Sequence, residues 1–95
     1  MLFVLHAFDK AGALEERLAN YDAHKAFLAD TSSHDVSMVM SGPLVADDGK
    51  TMIGSLMILE ARDRAAVEAF NRADPFQRAG IWEKVEITAF VKRQG

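Results

Sequence analysis

The chain has 95 residues, enough for one domain with a single modest core, and its 49% hydrophobic and 26% charged residues are ordinary for a globular protein. A formal net charge of −3, with basic residues scattered along the chain, argues against nucleic acid as the main partner. No cysteine is present, which excludes disulfides, thiolate metal sites and cysteine nucleophiles together and fits a cytoplasmic protein. No apolar run approaches the roughly 20 residues of a membrane span, and the opening MLFVLHAFDK lacks the basic and small-residue features of a signal peptide.

Residues 2–8, LFVLHAF, are short and rich in β-formers and read as a first strand. DKAG turns the chain, and from Ala13 to Ala29 the apolar spacing becomes helical, with Leu14, Leu18, Tyr21 and Leu28 on the face expected to be buried. DTSSHD ends that helix. VSMVMSGPL is a second strand, expected to stop at Gly42-Pro43 because proline removes a ladder donor. VADDGK carries an Asp-Gly turn signal and TMIGSLMILEA is a third strand. RDRAAVEAFNRA is a second helix, capped near Asp63, with Ala66, Val67 and Phe70 facing inward. DPFQRAG is a further short helical turn, and WEKVEITAFVKR a final strand.

The order βαββαβ gives a single α+β domain over residues 1–95, with a four-stranded antiparallel sheet and both helices on one face, the ferredoxin-like arrangement. Side chains alternate across a strand. In the first strand Leu2, Val4 and Phe8 oppose Phe3, Leu5 and Ala7; in the third, Met52, Leu56 and Ile58 oppose Ile53, Met57 and Leu59. Both faces are apolar and the helices cover one, so the other is expected to pack on a second copy of the chain, sheet against sheet, the alternative being cover by the long loops or the C-terminal tail.

The three histidines show no HxH, HxxxH or HExxH spacing, so no metal site is expected, and neither a phosphate-binding loop nor a GxSxG elbow is present. At 100° per residue Arg17 and His24 lie within about 20° of each other, side by side on one shoulder of the expected buried stripe. Taken alone, this reads first as a satisfied core histidine with an arginine snorkelling beside it. Asp74, followed by Pro75 and by Gln77 three residues on, has the signature of a helix N-cap. Capping leaves a second role open, with one carboxylate oxygen on a backbone N–H and the other facing a cleft.

The segments MLFVLHAFDK, RLANYDAHKAFL, SGPL, GSLMILEA and ADPFQRAGIWEKVEITAFVK, in this order and spacing, resemble the YciI-like, or YCII-related, family across nearly the whole chain. The resemblance implies a ferredoxin-like dimeric α+β barrel and a His–Asp acid–base pair in a pocket. That pair falls on His24 and Asp74, with Arg17, Ser41, Gly42, Pro43 and Phe76 lining the same pocket. It also implies lyase or dehydrochlorinase-like chemistry on a small ring compound, without a cofactor. His6 departs from the family pattern, which often has tyrosine or another non-basic residue there; the His34-Asp35 pair reads as loop polar residues. A carboxylate on one imidazole nitrogen would fix the tautomer and leave the other nitrogen to take a proton. Two further readings stand beside this enzyme: a module that only binds a small molecule in the same pocket, and a structural domain whose polar residues serve the core.

Overall fold

A computed structural model describes all 95 residues, Met1–Gly95. The strands are β1 (Leu2–Asp9), β2 (Val36–Val45), β3 (Met52–Ala61) and β4 (Trp82–Phe90), and the helices are α1 (Leu14–Ala19), α2 (Tyr21–Ala29), α3 (Arg64–Ala73) and α4 (Pro75–Arg78). A single 3₁₀ turn, Ser32–His34, links α2 to β2. The sheet is antiparallel in the order β2-β3-β1-β4, which is the ferredoxin-like α+β topology expected from the element order.

The core lies between one sheet face and the helices. Phe3, Leu5 and Ala7 of β1, Met57 and Leu59 of β3, and Val67 and Phe70 of α3 are its buried centre, joined by Phe76, Ile81 and Trp82. The alternation read from the strands therefore holds. Asp63 caps α3 as expected, its Oδ1 accepting the Ala66 N–H at 3.0 Å.

Four expectations are corrected. The helix placed over residues 13–29 is two helices. Asn20 leaves helical geometry at φ −103°, ψ 5°, and its Nδ2 donates to the Glu16 carbonyl at 2.9 Å, the local competition by which asparagine interrupts a helix. The buried stripe is also rotated. Leu14, Leu18 and Tyr21 are 41%, 55% and 39% exposed, while Arg17 and His24 are 1% and 6% exposed. Those two polar side chains find partners inside, so the leucine row is left outward. In addition, β2 runs through Pro43 to Val45. It is the edge strand, and an edge tolerates a residue with no N–H to donate outward. At the other end of the chain, β4 stops at Phe90 rather than reaching Arg93, because Phe90 pairs with Leu2, the first residue of β1, and no partner strand remains beyond it.

An irregularity in β2 decides what faces the helices. Met38 pairs with Leu59 and Met40 with Ile58, so Val39 is an extra residue. One inserted residue inverts the alternation. Ser41 and Pro43 then pair with Met57 and Ser55 and share their face, the one the helices cover.

Candidate active site: the His24–Asp74 cleft

A cleft of about 190 Å³ opens between α1–α2 and the β2–β3 edge of the sheet. Tyr21, His24, Lys25 and Leu28 line it from α2, with Arg17 from α1. Their spacing within α2, i, i+3, i+4 and i+7, is that of one helix face. Ser41, Gly42 and Pro43 form the opposite wall from β2, and Ser55, Leu56 and Met57 the floor from β3. Of the residues expected in a pocket, Arg17, His24, Ser41, Gly42 and Pro43 do line this cleft.

Asp74 and Phe76 lie behind it. Asp74 is fully buried at the junction of α3 and α4, where its backbone N–H closes α3 on the Asn71 carbonyl and its side chain caps α4. A single oxygen serves two donors. Oδ1 accepts the Phe76 N–H at 2.9 Å and stands 2.7 Å from His24 Nδ1. The expected division, one oxygen for the cap and the other toward a cleft, is not what forms: Oδ2 is enclosed and has no partner in the chain. Gln77 does not complete a capping box, since its Oε1 is likewise buried without a partner.

Phe76, expected as an apolar wall of the pocket, is fully buried and backs the histidine instead. Its ring stacks on the His24 imidazole with centroids 3.9 Å apart and planes 4° from parallel. Trp82 meets both rings edge-on, at 6.2 Å from His24 and 5.9 Å from Phe76. Two faces of contact and one strong hydrogen bond leave the imidazole little freedom. A carboxylate only accepts, so the short contact places the proton on Nδ1. Nε2 then carries the lone pair, has no partner in the chain, and belongs to a side chain that lines the cleft.

Arg17 is held just as firmly. Its Nε donates to Asp9 Oδ2 at 2.7 Å, and its Nη2 donates to Asp9 Oδ1 at 3.0 Å and to Ser55 Oγ at 2.8 Å. The guanidinium carbon also lies 4.7 Å from the Phe76 ring centroid. The fork is the bidentate arginine–carboxylate geometry. Arg17 thus lines the cleft, but as one half of an ion pair whose charge Asp9 already neutralises.

Sequence reasoning missed Asp9, Ser55, Lys25 and Tyr21. Asp9 reads as a turn residue because it ends β1, and only the fold brings it across to Arg17. His6 lies on the opposite sheet face, beside Phe8 at 4.7 Å between ring centroids and opposite Glu86 in the register, and so is outside the cleft. His34, in the 3₁₀ turn between α2 and β2, is half-buried against Phe27 and Phe70, at 4.8 and 5.7 Å between ring centroids. No group of three or more His, Cys, Asp or Glu side chains converges anywhere in the chain, and no helix is long and apolar enough to cross a membrane.

Comparison with known proteins places the chain among relatives. Residues 1–91 match the YCII-related domain. Protein YciI of Escherichia coli and its counterpart in Shigella flexneri are each 37% identical over 98 aligned positions, covering 97% of this chain and 98% of theirs. Among solved structures, 5-chloro-2-hydroxyhydroquinone dehydrochlorinase of Burkholderia phenoliruptrix, in complex with 2,5-dihydroxybenzoquinone, superposes with a TM-score of 0.85 at 32% identity. That match covers 96% of this chain and 94% of the dehydrochlorinase. An antibiotic biosynthesis monooxygenase shares the fold, with a TM-score of 0.53 at 21% identity over 97% of this chain and 100% of its own.

Proposed function

The chain belongs to the YCII-related domain family, and on that premise we propose that it is a small acid–base enzyme of lyase type, with His24 as the base. The observation that carries the proposal is the 2.7 Å bond from His24 Nδ1 to a buried carboxylate, with Nε2 left unpartnered at a cleft. Asp74 orients the ring and stabilises the imidazolium that forms when Nε2 takes a proton; general-base assistance of this kind contributes typically about 10²–10⁴-fold in rate. Asp74 does not touch the cleft and acts through His24.

The reaction we propose is deprotonation coupled to elimination or isomerisation. Nε2 takes a proton from a C–H or O–H of the substrate, and the freed electron pair forms a new π bond. In an elimination the leaving group departs with its own bonding pair, and the imidazolium then returns its proton to solvent. The likeness to a dehydrochlorinase that acts on a hydroxylated ring supports a small ring compound as substrate. These steps ask nothing of a resident cofactor.

The apolar outer face of the sheet supports a homodimer, which we propose as the functional form. Val4, Leu56 and Ile58 remain partly exposed there, and Phe8 and Met40 are 41% and 60% exposed. Sheet-to-sheet packing of two copies would remove this patch from water.

The direct test is chloride release from chlorinated hydroxyhydroquinones by the wild-type protein and by His24→Gln. Turnover that falls at least a hundredfold in a folded His24→Gln variant supports the assignment. Full turnover in that variant removes it. A protein that binds such rings and never releases chloride is a binding module instead.

A further inference from the structure

The mouth of the cleft holds a positive charge that no carboxylate of the chain neutralises. Two cationic side chains line the cleft, Arg17 and Lys25. Arg17 is bound through two nitrogens to Asp9, so the pair presents little net charge to a ligand. Lys25 enters no ion pair. Its ammonium lies over the Tyr21 ring instead, 5.4 Å from the centroid, on the exposed rim of the same helix face that carries His24.

The inner end of the cleft has a different character. The Ser55 hydroxyl accepts from Arg17 Nη2, which leaves its own proton free to donate. It is buried and lines the cleft. Arg17 Nη1 makes no hydrogen bond within the chain. Fixed donors therefore stand at the floor, and an uncompensated cation stands at the mouth.

We propose that Lys25 is the anion-recognition residue of the cleft, and that its ligands are hydroxylated rings bearing an ionised oxygen group. The charged group sits at the mouth with Lys25 and Tyr21, and a neutral hydroxyl or carbonyl oxygen points inward to Ser55 and Arg17. This deepens the reading of the cleft as a small-ring site and rests on it. The orientation also fixes which part of the ring passes Nε2 of His24, since both ends are assigned.

The test is calorimetric titration at low salt with two probes that share a ring and differ in charge, gentisate and hydroquinone. The wild-type protein is expected to bind gentisate about tenfold more tightly, the scale of a hydrogen bond to a charged group. Lys25→Met is expected to erase that preference while leaving hydroquinone affinity within about twofold, and Lys25→Arg to keep it. Lys25 is exposed, so circular dichroism should show both variants folded. A wild-type protein with no preference for gentisate, including one that binds neither probe, overturns the proposal. So does a preference that survives in Lys25→Met. Neither result bears on His24, which stands or falls on chloride release.

Discussion

Phe76 lies flat against the His24 imidazole, centroids 3.9 Å apart, while its own backbone N–H donates to the Asp74 oxygen that also holds that imidazole. One short segment, Asp74-Pro75-Phe76, therefore fixes the histidine by a hydrogen bond and by a stacked ring, and starts α4 with the same carboxylate. Helix capping and ring positioning are not alternatives here. They are two uses of one oxygen.

Substitutions at Asp74 should separate the two uses. Asparagine is as good an N-cap as aspartate, so Asp74→Asn should retain most of the stability. It removes the charge facing the imidazolium and allows the amide to donate to the wrong tautomer. Turnover should fall by about 10²–10⁴-fold, with a far smaller change in ligand affinity. Asp74→Ala loses the cap and the buried hydrogen bond together and should cost about 2–4 kcal/mol in urea denaturation. Equal turnover in wild type and a folded Asp74→Asn would show that the contact is a cap and nothing more.

The Arg17–Asp9 pair should behave as a buried ion pair, strongly coupled and intolerant of half-removal. Side-chain exposures of 2% and 7% leave little water to replace a lost partner. Asp9→Asn or Arg17→Met alone should each cost about 3–5 kcal/mol, because the remaining charge is stranded. The double variant Asp9→Leu/Arg17→Met should be clearly more stable than the sum of the single losses. A double-mutant cycle by urea denaturation measures the coupling, and simple additivity would show that the two charges act independently.

Two exposed sites contribute to the pH response of stability. Asp48 is held below the usual carboxylate range, first by the Thr51 hydroxyl and then by the backbone N–H groups of Thr51 and Lys50. Glu86 is lowered first by the hydrogen bond from Lys84 and then by its charge, and Lys84 is raised by the same Glu86 partner. A lowered carboxylate contributes stability that is fully present above its unfolded value and is lost as pH falls through its folded one. A raised lysine contributes stability present below its unfolded value, about 10.4, and lost as pH rises through its folded one. These groups should therefore contribute a decline in urea midpoint at the acid end and another at the alkaline end. Lys84→Ala should lessen both the alkaline and the acid decline, and Asp48→Ala the acid one further. An unchanged alkaline limb in Lys84→Ala would assign that limb to other groups.

Most of the fold is legible in the sequence because strand alternation and the Asp63 cap are local signals. What escapes is what depends on partners distant in the chain. The apolar spacing of Leu14, Leu18 and Tyr21 marks a buried stripe only if hydrophobicity alone orients the helix. In the folded chain Asp9, Ser55 and Asp74 draw Arg17 and His24 inward, and the leucines turn out. The Pro43 stop fails for a related reason: no local feature says that β2 lies at an edge. The extra residue at Val39 is likewise silent in sequence, although it is what turns Ser41 and Pro43 toward the cleft. The His–Asp pair is legible only through family resemblance, since spacing alone cannot join residues 50 positions apart.

Gly54 offers a test of how closely the sheet is packed where β1, β2 and β3 meet. It pairs with Phe8 on one side and Leu44 on the other. A Cβ built at this position would stand only 2.3 Å from the Ala7 carbonyl oxygen and 3.0 Å from Leu44 Cδ1. The leucine can swing aside, but the carbonyl belongs to the neighbouring strand and can move only if the ladder moves with it. Gly54→Ala should therefore destabilise by about 1–3 kcal/mol, although alanine is otherwise the easier residue to order than glycine. The neighbouring Ser55 carries the inner donor of the cleft, so the displaced strand should also weaken ring binding. A stability equal to or above wild type in urea denaturation would mean that β1 and β3 can separate locally at no cost, and that the floor of the cleft is softer than its hydrogen bonds imply.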